Sequence, residues 1–140
     1  MALFGGAYFI DKRVALIIPF LALFLTDLVL GLHATMVFVY GAFALTVLIG
    51  IWLQKRVTIT NTMLAAVASS VLFFLLTNFG SWLMGGVHGM YPQTLQGLMQ
   101  AYSAGIPFFQ NTLIGNLVYT VAIFGGYHLL QKNIPQLKQA

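Results

Sequence analysis

The sequence predicts an all-α integral membrane protein with about four transmembrane helices. Only 6% of its 140 residues are charged and 60% are hydrophobic, whereas a soluble domain carries about 25% charged residues. Because so few charges cannot cover a water-exposed surface, lipid is expected to surround most of the exterior. The apolar residues form four runs of about the length that crosses a bilayer, and the basic residues lie at the ends of these runs. We expect a single transmembrane helical domain over residues 1–140.

The first ten residues are apolar but too short to span a bilayer, which takes about 20 residues. The charged residues Asp11, Lys12 and Arg13 follow them. A secretory signal peptide has the opposite order, with positive charge before the apolar stretch. Three interpretations remain open for this segment: an interfacial segment, a re-entrant piece, or the remnant of a longer helix.

Four runs are long and apolar enough to span the membrane, at roughly 14–31, 35–53, 63–84 and 107–130. Only helices and closed barrels satisfy their backbone hydrogen bonds in lipid. Barrel strands alternate polar and apolar residues, whereas these runs are apolar on all sides. The sequence therefore predicts helices.

The distribution of basic residues predicts the orientation. With four crossings, all six basic residues fall on one side of the membrane, namely Lys12, Arg13, Lys55, Arg56, Lys132 and Lys138. Basic residues concentrate in cytoplasmic loops. We therefore expect a multi-pass protein of the cell (inner) membrane with both its N- and C-termini in the cytoplasm.

The long outer loop, residues 85–106, is expected to contain a short amphipathic helix. Apolar residues recur there at helical spacing, at Leu95, Leu98, Met99 and Tyr102. Few charges surround them, which favours a helix lying at the outer interface. Gly105 and Pro107 are predicted to end this helix and begin the fourth span. A connector and a lid over a site both remain open as roles.

Small residues in the third span indicate close helix packing. Ala65 with Ser69, and Ala66 with Ser70, form two pairs with small-xxx-small spacing, which lets helix backbones approach closely in lipid.

Polar residues within the spans are the candidate functional residues. Asp27 lies in the first span, and an ionisable residue inside a membrane is a functional-site hypothesis. The other polar side chains concentrate in the outer halves of the spans, at Thr77, Asn78, Asn111, Thr112 and Asn116. This distribution suits an outward-facing pocket that binds a small solute, with Asp27, Asn78, Trp82, Asn111 and Asn116 as the predicted ligand-binding residues. Hydrogen bonding between helices, without any ligand, is the alternative.

Several other classes of function are disfavoured. The sequence contains no Cys and no zinc-protease, nucleophile-elbow or phosphate-loop motif, so we expect no catalysis, and no particular cofactor is indicated. Nucleic-acid binding would need a clustered basic face, which is not present. A metal site formed by Asp27, His33 and His88 is a remote alternative, because no sequence spacing supports it.

Seven strings resemble an uncharacterised bacterial family of polytopic membrane proteins, catalogued as a domain of unknown function. They are ALFGGAYF at 2–9, DKR at 11–13, TDLVLG at 26–31, VY at 39–40, TNFGSW at 77–82, YPQTLQGL at 91–98 and IPFFQNTLIGN at 106–116. The resemblance implies an extra segment before the ALFGG string in other members, and an Asp where this chain has Asn116.

The chain is also similar to the substrate-binding subunits of energy-coupling-factor vitamin transporters. The similarity lies in the order of its segments: a glycine-containing apolar segment, a charged turn, and a helix ending in TDLVLG. This weaker similarity implies a helical bundle that holds a solute near the outer face.

The function hypothesis is thus a small membrane subunit that binds a solute as part of an uptake system. The alternative is a non-catalytic accessory subunit of a larger membrane complex. An ion or proton pathway is less favoured, since the inner halves of the spans offer few polar groups. Lipid and other membrane subunits are the expected partners.

Overall fold

The computed structural model describes residues 2–88 and 90–134, with only the backbone described for residues 86–88. The described chain folds into five helices and no strands. They are α1 (Ala2–Tyr8), α2 (Lys12–Leu30), α3 (Met36–Leu53), α4 (Ile59–His88) and α5 (Leu95–Asn133).

Helices α2 to α5 are each long and apolar enough to cross a membrane, which confirms the four predicted spans. Large apolar side chains cover their outer surfaces, and Val29 and Val37 are 85% and 76% exposed. In water such a surface would drive association, whereas in lipid it is the ordinary outer face of a bundle. By length and composition, the chain is a multi-pass membrane protein.

The predicted outer helix is present, but it does not end at Gly105 or Pro107. It begins after Thr94, whose hydroxyl accepts a hydrogen bond from the Gly97 backbone N–H at 3.2 Å. It then runs without a break into the fourth span as the 39-residue α5. Gly105 instead marks a close approach, because a Cβ there would overlap the side chain of Asn78 on α4. Proline is tolerated within helices of membrane proteins when the surroundings satisfy the freed backbone groups.

Helix α1 lies in the interior of the bundle, which is inconsistent with an interfacial segment. Leu3 and Ala7 are almost fully buried. Its backbone meets α3 at two glycines, and the Cβ position of Gly6 lies 2.9 Å from the Cα of Gly50. Helix α1 also packs against α2, α4 and α5.

The four long helices stand in chain order, with α3 against α2 and α4, and α5 against α4. In the described part of the chain, α3 and α5 do not pack against each other. Helix α1 touches all four long helices, so the row must curve around it. Helix α1 therefore occupies part of the gap between α3 and α5, and the rest of that gap is a cavity.

One end of the bundle, here called the basic end, carries Lys12, Arg13, Lys55, Arg56 and Lys132. Lys12 Nζ donates a hydrogen bond to Gln54, which joins the start of α2 to the end of α3. Tyr127, near the end of α5, lies 4.4 Å from Tyr8 between ring centroids. The five described basic residues thus lie together as the sequence predicts, while Lys138 lies outside the described residues.

At the opposite end, here called the far end, α4 and α5 project beyond α3. A Cβ on Gly80 would meet the Phe38 ring near the start of α3, so the part of α4 beyond Gly80 extends about 12 Å further. Trp82 Nε1 donates to the Pro92 carbonyl at 3.1 Å, and Gln93 Nε2 donates to the Trp82 carbonyl at 2.7 Å. These bonds tie the projecting hairpin together.

Candidate functional site

Asp27 joins α2 to α3 and does not meet the predicted asparagines. It lies in the last turn of α2 with 8% of its surface exposed. The Tyr40 hydroxyl donates a hydrogen bond to Asp27 Oδ2 at 2.8 Å. Hydropathy alone does not predict this pairing, because it does not reveal how α2 is rotated against α3.

The Asp27–Tyr40 pair is expected to act on stability alone. In a double-mutant cycle with Asp27→Ala and Tyr40→Phe, we expect a coupling free energy of about 0.6 kcal/mol, and at most about 1.7 kcal/mol, the range of interhelical hydrogen bonds in membranes. Thermal unfolding in detergent measures it. Additive effects of the two substitutions would show that the bond contributes nothing.

Asn78 lines a small cavity toward the far end. Its side-chain amide donates to the Phe74 carbonyl at 2.8 Å. The cavity has a volume of about 200 Å³, and we call it the far cavity. It is lined by Phe73, Phe74, Thr77, Asn78, Gly105, Phe108, Phe109 and Thr112. Trp82 lies beyond it in the hairpin, and neither Trp82 nor Asp27 lines any of the three cavities described here.

Asn111 and Asn116 line a larger cavity of about 350 Å³, which we call the central cavity. It lies in the gap between α3 and α5, and residues of α4 and of the start of α1 complete its lining. The lining residues are Ala2, Leu3, Phe4, Phe43, Thr46, Ser69, Ser70, Phe73, Asn111, Thr112, Gly115, Asn116, Tyr119, Thr120, Ile123 and Phe124. The structure therefore brings Asn111 and Asn116 together, and places Asn78 in the adjoining cavity.

Asn116 is held in place by two hydrogen bonds to α4. Its Nδ2 donates to the Ala66 carbonyl at 3.0 Å and to Ser70 Oγ at 2.9 Å. The Ser70 hydroxyl in turn donates to the Ala66 carbonyl at 3.0 Å. This network uses both amide protons of Asn116, whereas no described group donates to its side-chain oxygen, which remains an available acceptor.

Ser69, like Ser70, lines the cavity although the sequence analysis assigned it only to helix packing. Its side chain is 3% exposed, and its hydroxyl is buried with no hydrogen-bond partner among the described residues. Small-xxx-small spacing is the same for a serine that only packs and for one that faces a cavity. The one sequence feature that could have indicated a cavity here is the pair of adjacent serines in the middle of a span.

The central cavity lies near the middle of the helices that form the candidate spans. Helix α4 begins at Ile59, and Gly80 lies level with the start of α3, so Ser69 and Ser70 lie about halfway between the two ends. The sequence places the intramembrane polar groups mainly in the outer halves. In the structure, polar side chains also lie midway along the spans, at Ser69 and Ser70. Others lie in the half toward the basic end, at Thr62 and Thr120.

A third cavity, of about 460 Å³, lies toward the basic end, and we call it the basic-end cavity. It is lined by Tyr8, Val57, Thr58, Ile59, Thr62, Met63, Thr120, Val121, Phe124, Gly125 and His128. Thr62 and Thr120 are 5% and 6% exposed, and neither hydroxyl has a hydrogen-bond partner among the described residues.

The residues whose side chains are described contain no cluster of three or more His, Asp or Glu that could hold a metal ion. His33 is exposed in the turn between α2 and α3, and the His88 side chain lies outside the described residues.

The model of a "Family of unknown function (DUF6580)" matches residues 1–137 of the chain. This match agrees with the resemblance to an uncharacterised family that the sequence strings indicated. Neither a curated protein nor a solved structure matches the chain.

Proposed function

Since the chain belongs to this family of unknown function, we propose its role from the geometry: a membrane subunit that binds a small solute in the central cavity, as part of an uptake system. Binding without catalysis is proposed. The observation that carries the proposal is the Ser69 hydroxyl, buried in the cavity wall without a partner.

An unpaired hydroxyl inside a membrane protein is costly, because the hydrocarbon around the helices offers it no hydrogen-bond partner. The Ser70 and Thr46 hydroxyls, by contrast, bond to backbone carbonyls of their own helices. Ser69 thus has an unused hydroxyl donor in the cavity wall, and Asn116 has an unused side-chain acceptor.

The rest of the wall suits a small organic molecule. The surface of its lining is mainly apolar, with Phe43 and Phe73 among its aromatic side chains, and seven Ser, Thr and Asn side chains border it. Ligand sites have this composition, and their volumes start at about 300 Å³. None of the residues lining the central cavity carries a formal charge, so an uncharged solute fits better than an ion, which would lose its hydration without a counter-charge.

The positive-inside rule supports the orientation. With the basic end in the cytoplasm, the start of α2 and the end of α5 face the cytoplasm, and the far cavity lies on the outer side of the cell (inner) membrane. The N-terminal residues Ala2 and Leu3 lie inside the bundle, at the central cavity. The proposed site is then approached from outside, as uptake requires.

Ser69→Ala tests the proposal because binding should weaken while stability should not fall. Small molecules retained by the natively purified protein are identified by mass spectrometry, and the affinity of the retained solute is then measured. Loss of one hydrogen bond, about 1 kcal/mol, should weaken affinity about five-fold. Without solute, the unfolding temperature should equal or exceed that of the parent, since an unpaired hydroxyl is removed.

Ser103→Ala is the matched control, because Ser103 is exposed on α5 and lines none of the three cavities. It should leave affinity unchanged. Equal affinities for the parent and Ser69→Ala would refute the role given to this hydroxyl.

The accessory-subunit alternative rests on a different observation. Gln110 lies inside the α5 span, and its side chain is exposed on the surface of the helix bundle. An amide that faces lipid there is unfavourable. A neighbouring subunit packed on α5 would cover it. Native mass spectrometry that finds stoichiometric partner proteins and no retained small molecule would favour this alternative.

A further inference from the structure

The far, central and basic-end cavities lie in one line along α4 and α5. The far and central cavities share Phe73 and Thr112, and the central and basic-end cavities share Thr120 and Phe124. We propose that the three cavities form one path by which a small uncharged solute crosses the membrane. This inference rests on the proposed binding function and extends it from binding to passage.

Polar side chains occur along the whole path. On α4, Thr62, Ser69 and Thr77 line the three cavities in turn, about 10 to 12 Å apart along the helix. Their spacing of seven and eight residues places them on one helix face. The same face thus offers a hydroxyl near each end of the span and at its middle.

Helix α5 repeats the pattern on the facing side. Thr112, Asn116 and Thr120 follow one another at intervals of four residues, which also defines one face. Thr112 faces the far and central cavities, and Thr120 faces the central and basic-end cavities.

Helix packing alone does not account for these hydroxyls. A Ser or Thr in a membrane helix commonly bonds to the carbonyl four residues earlier, as Thr77 and Thr112 do. The hydroxyls of Thr62, Ser69 and Thr120 lack such partners in the described structure, and all three line cavities. A solute or water moving along the path would satisfy them in turn.

Two aromatic rings separate the compartments. Phe73 is part of the wall between the far and central cavities, and Phe124 is part of the wall between the central and basic-end cavities. Phe124 packs against Phe4 and Tyr8 of α1, with ring centroids 5.3 and 5.5 Å apart. Passage toward the basic end therefore requires a rearrangement between α1 and α5.

The chemistry of the lining selects against ions. Residues with a formal charge at neutral pH are absent from the linings given for the three cavities, and His128, at the basic-end cavity, is their one titratable imidazole. Ion pathways use charged rings or closely spaced carbonyl groups. Hydroxyls and amides between aromatic walls suit an uncharged solute.

The absence of Cys from the chain permits a direct test. Ser69→Cys is introduced alone into the full chain in sealed vesicles. The probe is methyl methanethiosulfonate, which is small and uncharged and reacts with the thiolate, so reaction requires water at the site. It is added on one side with glutathione on the other as a scavenger, and the experiment is repeated with the sides exchanged.

Leu64→Cys is the matched control, because Leu64 lies on the same helix with its side chain 62% exposed toward lipid. Ser69→Cys should react at least ten times faster than this control from both sides. Rapid reaction from one side only would overturn the path and leave the binding site intact. Reaction no faster than the control from either side would contradict both proposals. Unfolding temperatures of the two variants confirm that each is folded.

Discussion

Gly50→Val is expected to lower the free energy of unfolding by about 3 kcal/mol, at the upper end of the usual cost of overpacking. A Cβ on Gly50 would overlap the Leu3 carbonyl and would lie 2.9 Å from the Cα of Gly6. Backbone atoms cannot rotate away as a flexible side chain can, so α1 would have to leave its place against α3. Thermal unfolding in detergent measures the loss.

Gly41→Val is the control for this substitution. Gly41 lies on the same helix, and nothing comes within 4 Å of a Cβ placed there. Its substitution carries the same change in helix propensity without the overlap. If both variants unfolded at the same temperature, the close approach of α1 and α3 would be wrong.

Asn116→Leu is expected to reduce the affinity for the retained solute at least ten-fold. The substitution keeps the number and branching of the side-chain heavy atoms, but it removes the amide that bonds to Ala66 and Ser70 and the side-chain oxygen of a cavity-lining residue. A binding site built to hydrogen-bond a polar group discriminates strongly when that group is lost. Mass spectrometry of the natively purified variant, followed by a binding measurement, gives the ratio.

Asn133→Leu is the matched control, since Asn133 is exposed at the end of α5. It should retain the solute as the parent does. Undiminished affinity in folded Asn116→Leu would remove Asn116 from the site.

The spans and the grouping of basic residues were predictable, because both follow from composition along the chain. Lipid selects long apolar runs regardless of their neighbours, and the charges mark the ends of those runs. Helix breaks were less predictable. Glycine and proline commonly end helices in water-soluble proteins. Here Gly105 packs against Asn78, and the helix continues through Pro107.

The site was only partly predictable, because it depends on which helix faces meet. Asn78, Asn111 and Asn116 were singled out as polar residues in apolar spans, and each lines a cavity. Asp27 was singled out by the same rule, yet its rotation on α2 turns it toward Tyr40. The unpaired hydroxyl of Ser69 depends on the gap between α3 and α5, which no local sequence pattern encodes.

A density map of the natively purified protein tests the solute site most directly. The account predicts a discrete non-protein feature in the central cavity, within hydrogen-bonding distance of Ser69 Oγ and the side-chain oxygen of Asn116. Continuous density of a lipid acyl chain, or a helix of another subunit filling the gap between α3 and α5, would contradict it.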